Sequence, residues 1–138
     1  MPLPSTGLEV LDGDECLHLL GSATLGRIVL SVNALPAAFP VNYRLRGDTI
    51  LFRTGPGTKL SRALEVTIVG FQADHVDPAT GTGWSVLAIG SATLVSDRDE
   101  LTILEQLQIP SLAGNRLPHL MQISIVTISG RRIPASTP

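Results

Sequence analysis

The sequence predicts a mostly β fold, a six-stranded antiparallel barrel flanked by short helices. Three apolar segments follow one another early in the chain with only tight turns between them, which is typical of an antiparallel meander. A parallel sheet would need a helix between successive strands. Closing the strands into a barrel removes exposed sheet edges. With 138 residues, we expect one domain over 1–138 with loose termini at 1–8 and 134–138.

The first half of the chain predicts an arm, a helix and then the meander. Residues 1–11 are expected to form a loosely ordered arm. A helix is predicted over 12–20, with Asp12 as its N-cap, Glu15 three residues later and Gly21 as its stop. The strands that follow are predicted at 25–33, 37–46 and 49–54, with turns at 34–36 and 47–48.

Pro40 lies inside the second predicted strand. Because proline cannot donate a ladder hydrogen bond, it predicts a sheet edge, a bulge or a place where another group replaces that bond.

The second half predicts a short helix over 58–64, a strand over 65–74 and a long strand over 83–96. Gly70 marks a bulge or a close-packing point in the first of these strands. Small residues along the long strand would let it curve in a barrel or pack against another chain.

A capping box formed by Asp97 and Glu100 predicts a helix over 97–107. The last strand is predicted at 119–129. Its apolar residues change parity between Ile125 and Val126, which predicts a bulge or a strand covered on both faces.

Composition and charge argue against several classes of function. A net charge of −2 argues against a nucleic-acid partner held by a general basic surface. No apolar run is long enough to span a bilayer and no signal peptide is visible, so we expect no membrane partner. Cys16 is the only cysteine, which fits a cytoplasmic location. We expect no metal site, because the spacing of Asp74, His75 and Asp77 matches none.

The segment DTILFRTGPGTKLSR, residues 48–62, has the groups that a phosphate needs. A strand ends in Arg53 and Thr54, a Gly-Pro-Gly loop follows, and Thr58 and Lys59 open a helix. Charge, hydroxyls and free backbone N–H groups at a helix start favour anion binding. Lys59 is the only lysine in the chain. The segment is not a P-loop, because one residue separates its glycines.

Ordinary turn chemistry explains the same segment equally well, because a strand, a Gly-Pro turn and a short helix occur in many small proteins. The residues alone leave both interpretations open.

Seven segments in order resemble a known family: DECLHLL, LGRIVLSV, FPVNY, ILFRTGPGTKL, VGFQADHVD, GWSVLAIGSA and GRRI. Over about residues 9–133 the chain is similar to pyridoxamine 5'-phosphate oxidase-like flavin-binding proteins, in the branch that resembles nitroimidazole-resistance proteins. The resemblance implies a Greek-key split β-barrel that forms a homodimer, with FMN at the subunit interface. The chain differs from the proteins it resembles at Gln72-Ala73, where an acidic-aliphatic pair is usual, and at Leu112, where a tryptophan is common.

The resemblance also implies cofactor-binding positions. The residues that would hold the phosphate are Arg53, Thr54, Thr58 and Lys59, and the adjoining Phe52 and Leu60 are further implied cofactor contacts. The other implied contacts are Pro40, Val41 and Asn42 beside the ring system, Trp84 and Ser85 from the neighbouring subunit, and Arg131 near the mouth.

The resemblance implies a flavin-dependent oxidoreductase acting on a small molecule. The flavin carries that chemistry, so no catalytic triad or carboxylate pair is required. One alternative is a reductase that uses the deazaflavin F420, with Arg44, Arg131 and Arg132 near its acidic tail. Another is a non-catalytic module that binds or stores flavin. The sequence identifies neither the catalytic residues nor the substrate.

Overall fold

The structure, a computed structural model, describes residues 8–55, 64, 68–109 and 119–135. Within these residues the chain forms seven strands and two helices. The strands are β1 Glu9–Val10, β2 Leu25–Val32, β3 Leu35–Arg46, β4 Thr49–Thr54, β5 Ile68–Val76, β6 Gly83–Leu94 and β7 His119–Ile133. The helices are α1 Gly13–Ser22 and α2 Arg98–Glu105.

The strands close into an antiparallel barrel, as predicted. Their order is β1-β7-β4-β3-β2-β5-β6, and a further β6–β7 pairing closes the ring. After the β2-β3-β4 meander, β5 returns to pair beside β2, which is the Greek-key arrangement. The one strand beyond the six predicted is β1, which lies in the segment predicted to be a loose arm. Its residue Glu9 pairs with Arg132 and Val10 pairs with Arg131.

Both helices begin where predicted. The side chain of Asp12 accepts a hydrogen bond from the Glu15 N–H at 2.8 Å, and Asp97 accepts one from the Glu100 N–H at 2.9 Å. Each cap satisfies a backbone donor that the helix itself leaves unpaired. The first helix continues past Gly21, the predicted stop, to Ser22.

The core has two parts. The larger cluster fills the barrel and includes Cys16 and Leu20 of α1. A smaller cluster lies outside the barrel, where Leu104 of α2 packs with Leu51 of β4 and Leu120 of β7. One helix therefore contributes to the barrel interior, and the other covers the outer side of β4 and β7.

The bulge predicted in the last strand is present. Ile89 pairs with Thr127 while Gly90 pairs with Ile125, so Val126 is the extra residue. A Cβ at Gly90 would lie 2.0 Å from the Ser124 carbonyl oxygen, so only glycine fits this approach. Gly70, predicted to be a bulge or a close-packing point, pairs in unbroken register with both of its neighbouring strands, so it is not a bulge.

Several boundaries differ from prediction. The first turn consists of Asn33 and Ala34, at φ 51° and 65°, so the following strand starts at Leu35 rather than after a turn at 34–36. The strand predicted to end at 74 continues to Val76. The last strand, predicted to end at 129, continues to Ile133 because its final residues pair with β6 and β1.

The predicted helix at 58–64 and the start of the predicted strand at 65–67 lie outside the described residues, apart from residue 64. Neither of the two described helices is long and apolar enough to cross a membrane.

Candidate functional site

Pro40 lies on an open edge of the barrel. β3 pairs with β4 only over 43–46, whereas 35–42 pairs only with β2 among the described strands. The Tyr43 N–H donates to the Thr24 carbonyl at 2.9 Å, on the β2 side of β3. Successive residues of a strand direct their backbone nitrogens to opposite sides, so the nitrogen of Pro40, three residues earlier, faces the side that has no partner among the described strands. Proline therefore loses no ladder bond here, which confirms the predicted sheet edge.

Five strands present a continuous surface, which we call the outer face. It is made of two cross-strand rows through β3, β2, β5, β6 and β7, and it continues into a third, shorter row. Neighbours in a row point to the same side of the sheet. The rows are Pro40, Arg27, Gln72, Leu87 and Ser129; Ala38, Val29, Gly70, Ile89 and Thr127; and Asp74, Ser85 and Arg131.

Apolar side chains remain partly uncovered on the outer face. Val29 and Leu87 are each 39% exposed, and Ile89 is 41% exposed. The helix that covers the outside of the barrel packs against β4 and β7, where Leu51 and Leu120 lie. Of the elements that the structure describes, α2 thus covers another part of the barrel, and the apolar side chains of the outer face stay exposed to a ligand or another chain.

Four of the predicted site residues lie on or beside the outer face. Ser85 and Arg131 are cross-strand partners, and Pro40 belongs to an adjacent row. Asn42 is two residues from Pro40 and points to the same side. These residues are distant in sequence, and the barrel brings them to one surface.

Other predicted residues point into the protein. The side chains of Val41 and Phe52 belong to the barrel core, and Trp84 is 8% exposed. Thr54 is buried. Thr58, Lys59 and Leu60 lie outside the described residues, so the predicted phosphate-binding segment is described only up to Gly55.

Arg53 is held against α2. Its Nη2 atom lies 2.9 Å from Oε2 of Glu105, and its Nε–H donates to the Ile109 carbonyl at 3.3 Å. The Arg53 side chain is 13% exposed and that of Glu105 is 56% exposed. This arginine therefore has an acidic partner that local sequence patterns did not indicate.

A cleft of about 430 Å³ opens where β2 and β5 separate. These strands pair only from Arg27 to Val29. Trp84 contributes to the lining beside Asp74 and His75 of β5, and the end of α1 with the following residues forms the remaining wall. The described residues that line it are Ser22, Ala23, Thr24, Leu25, Arg27, Asp74, His75 and Trp84.

A polar network lies next to this cleft on the outer face. The amide oxygen of Gln72 accepts a hydrogen bond from Arg27, and its amide nitrogen donates to Asp74 at 2.9 Å and to Ser85 at 3.0 Å. Sequence reasoning identified Ser85 but gave no role to the other three. Their period-two positions on strands could place them outside the barrel, but only the register brings them together.

The two C-terminal arginines have different environments. Arg132 forms ion pairs with Glu15 of α1 and Glu9 of β1. Arg131 shares the outer face with Ser85, and its Nη1 donates to the Gly130 carbonyl at 3.0 Å. Only Arg131 is thus placed beside the other candidate residues.

Burial suppresses the reactivity of the single thiol. Desolvation raises the pKa of Cys16, and the Asp12 carboxylate raises it further, against a smaller lowering by Arg131. A thiol that stays protonated is a poor nucleophile. Among the described residues, no group of three or more His, Cys, Asp or Glu side chains could hold a metal ion.

Comparison with known proteins places the chain in a family. The sequence model of the pyridoxamine 5'-phosphate oxidase family matches residues 12–132. An uncharacterized protein of Mycobacterium tuberculosis is 38% identical, over 97% of this chain and 92% of the relative.

Solved structures agree with this match. The FAD binding protein from Mycobacterium smegmatis is 35% identical with a TM-score of 0.78, over 91% of this chain and 98% of its own. A protein proposed to act in 5-nitroimidazole antibiotic resistance in Bacteroides thetaiotaomicron is 14% identical with a TM-score of 0.71, over 95% and 93% of the two chains. The second likeness concerns the fold alone. The match over residues 12–132 and the 38% identical relative together show that this chain belongs to the pyridoxamine 5'-phosphate oxidase family.

Proposed function

We propose that this protein binds a flavin on the outer face and uses it to transfer hydride or electrons to a small molecule. The observation that carries the proposal is the convergence of Pro40, Asn42, Ser85 and Arg131 on one uncovered surface. The 35% identical protein from Mycobacterium smegmatis, described as FAD binding, supports a flavin as the ligand class.

The residues on this surface suit the chemistry of a flavin. The ring system is flat, with an apolar edge and a polar edge that carries carbonyl oxygens and ring nitrogens. Val29, Leu87 and Ile89 offer apolar contact, while the Ser85 hydroxyl and the Arg131 guanidinium offer donors nearby. A bound flavin would supply the redox chemistry, and the chain's own residues would bind it, orient it and exclude water.

FMN is our first candidate, because its phosphate matches the charged segment that begins at Arg53. FAD is the second candidate and rests on the Mycobacterium smegmatis relative. The deazaflavin F420 has weaker support, since its acidic tail would need free basic residues and Arg132 is paired with Glu9 and Glu15.

We further propose that a second copy of the chain covers the outer face, so that the flavin lies between two subunits. Partly exposed Val29, Leu87 and Ile89 adjoin one another across the paired strands. Contiguous apolar surface of this kind is typical of an interface. We place this dimer in the cytoplasm, because its single cysteine requires no oxidising compartment.

The experiment is to release the cofactor from the purified full chain by denaturation and to identify it by mass, then to add NADH or NADPH to the native protein under anaerobic conditions. FMN that is reduced and then reoxidised by a small-molecule acceptor supports the oxidoreductase. FMN that is bound but not turned over supports a storage module. Release of F420 alone would contradict the flavin assignment.

A further inference from the structure

The side-chain amide of Gln72 connects three strands on the outer face. It accepts a hydrogen bond from Arg27 on β2 and donates to Ser85 on β6 at 3.0 Å. Its second N–H donates to Asp74, on its own strand, at 2.9 Å. Arg27 Nη1 also lies 3.6 Å from Asp74 Oδ2, so the four side chains form one connected group.

The chemistry of the partners fixes the orientation of this amide. A guanidinium can only donate hydrogen bonds, and a carboxylate can only accept them. The amide oxygen of Gln72 must therefore face Arg27, and its nitrogen must face Asp74. A flipped amide would oppose donor to donor and acceptor to acceptor. Both hydrogens of the nitrogen are then used, one on Asp74 and one on Ser85.

This orientation determines what Ser85 can offer a ligand. Its oxygen accepts from Gln72, so its own hydrogen can be donated only to a different group. Across the part of the chain that the structure describes, the bond from Gln72 is the only hydrogen bond assigned to the Ser85 side chain. The hydroxyl lies on the outer face beside Arg131, another group that can only donate.

We propose that Gln72 is a positioning residue that fixes the Ser85 hydroxyl as a hydrogen-bond donor, so that this end of the outer face recognises a hydrogen-bond acceptor. The acceptor is a carbonyl oxygen or an unprotonated ring nitrogen. The identity of the ligand as a flavin rests on the proposed function, whereas the orientation of the amide rests on Arg27 and Asp74 alone.

A double-mutant cycle with FMN as the probe tests the positioning role. Gln72→Glu keeps the size of the side chain but replaces the donor with an acceptor, so the Ser85 hydroxyl must turn to donate to it. We expect FMN affinity to fall about tenfold in Gln72→Glu and by a similar factor in Ser85→Ala. In the double variant the two losses should not multiply, because both remove the same hydrogen bond.

Measuring Gln72→Glu in the Ser85→Ala background also separates the loss of hydroxyl positioning from the electrostatic effect of the new carboxylate. A new carboxylate repels the flavin phosphate equally with or without the hydroxyl, so a pure charge effect would be additive. Additive losses, or unchanged affinity in Ser85→Ala, would overturn the positioning role. Gln122→Glu is the matched control: Gln122 donates to the Thr93 hydroxyl at 3.3 Å on another part of the barrel, and its change should leave FMN affinity as it is.

A second measurement needs no flavin. In the ¹H–¹⁵N spectrum of the cofactor-free chain, Ser85→Ala should shift one of the two Gln72 amide protons and Asp74→Asn the other. If neither proton resonance shifted, the proposed hydrogen bonds from Gln72 to Ser85 and Asp74 would be wrong. If both variants show these shifts but the wild-type chain binds no flavin, the proposed function and the ligand assignment would be overturned, while the orientation of the amide would stand.

Discussion

The guanidinium of Arg53 is paired with Glu105, with Nη2 and Oε2 2.9 Å apart, while its Nε–H donates to the Ile109 carbonyl. The pair joins the end of β4 to the end of α2. Its significance is electrostatic, because Arg53 is a proposed phosphate ligand and its charge is already partly balanced by a carboxylate. A phosphate that binds Arg53 must therefore compete with Glu105.

Removing this competitor should strengthen FMN binding. In Glu105→Gln the carboxylate charge is lost, and we expect FMN affinity to rise by about two- to fivefold, the range for a partly exposed ion pair. Isothermal titration at low salt measures the change. Asp99→Asn removes the same charge from the first turn of the same helix and serves as the control. Equal affinity in wild type and Glu105→Gln would mean that Arg53 does not contact the phosphate.

Removing the cations should have the opposite effect. In the Arg53→Ala/Lys59→Ala double variant we expect the loss of several kcal/mol of FMN binding free energy, at roughly 1.5–3 kcal/mol for each charge-assisted bond. Riboflavin, which lacks the phosphate, should bind wild type and variant alike. Undiminished FMN affinity in the double variant would contradict the proposal that this segment binds the phosphate.

Tyr43 makes a buried hydrogen bond that gives the fold an alkaline limit. Its hydroxyl donates to the Leu20 carbonyl of α1, and its ring packs edge-on against Phe71 with centroids 4.7 Å apart. Burial raises the pKa of Tyr43 to about 12. Because the folded state holds this proton more tightly than the unfolded state, the stabilisation is complete below pH 10 and is lost between about pH 10 and 12.

We expect that loss to be about 3 kcal/mol of unfolding free energy over the two pH units. Tyr43 is the only tyrosine, so the tyrosinate absorbance of the native chain reports it directly. Tyr43→Phe should lower the unfolding free energy by about 1–3 kcal/mol at neutral pH, since the Leu20 carbonyl loses its partner. The variant should also lose this pH dependence, and a native tyrosinate midpoint near pH 10 would contradict the assignment.

The turn at Asn33 and Ala34 carries a cost that one substitution should relieve. Both residues have positive φ, and alanine is poorly suited to this left-handed region. Ala34→Gly should raise the unfolding free energy by about 1 kcal/mol in urea titration. Ala38→Gly, in the adjoining strand where glycine is unfavourable, should lower it. Equal or lower stability in Ala34→Gly would contradict the turn conformation.

Local patterns predicted the elements well because their causes are local. Asp12 and Asp97 cap helices through residues three positions away, and the parity change at Val126 marks a bulge within its own strand. Pro40 predicted an edge as one possibility, because proline has no backbone N–H to donate to a neighbouring strand. Ala34 shows the limit, since the sequence favoured a turn at 34–36 and the chain turns at Asn33 and Ala34.

The candidate site was predicted only in part, because its partnerships depend on register between distant segments. Nothing near Arg53 indicates Glu105, which follows 52 residues later. Gln72 was noticed as a departure from its relatives, but its role depends on Arg27, 45 residues earlier, and Ser85, 13 residues later. The resemblance implied Ser85 and Arg131 as separate cofactor contacts, and only the cross-strand pairing shows that they lie on one surface.

The most direct test of the flavin assignment is the visible absorption and fluorescence of the purified full chain, first as isolated and then during titration with FMN and FAD. We predict a flavin band that co-purifies or is restored by FMN, with flavin fluorescence changing to saturation at one flavin per subunit. A colourless protein that leaves the spectra of both flavins unchanged would contradict the assignment.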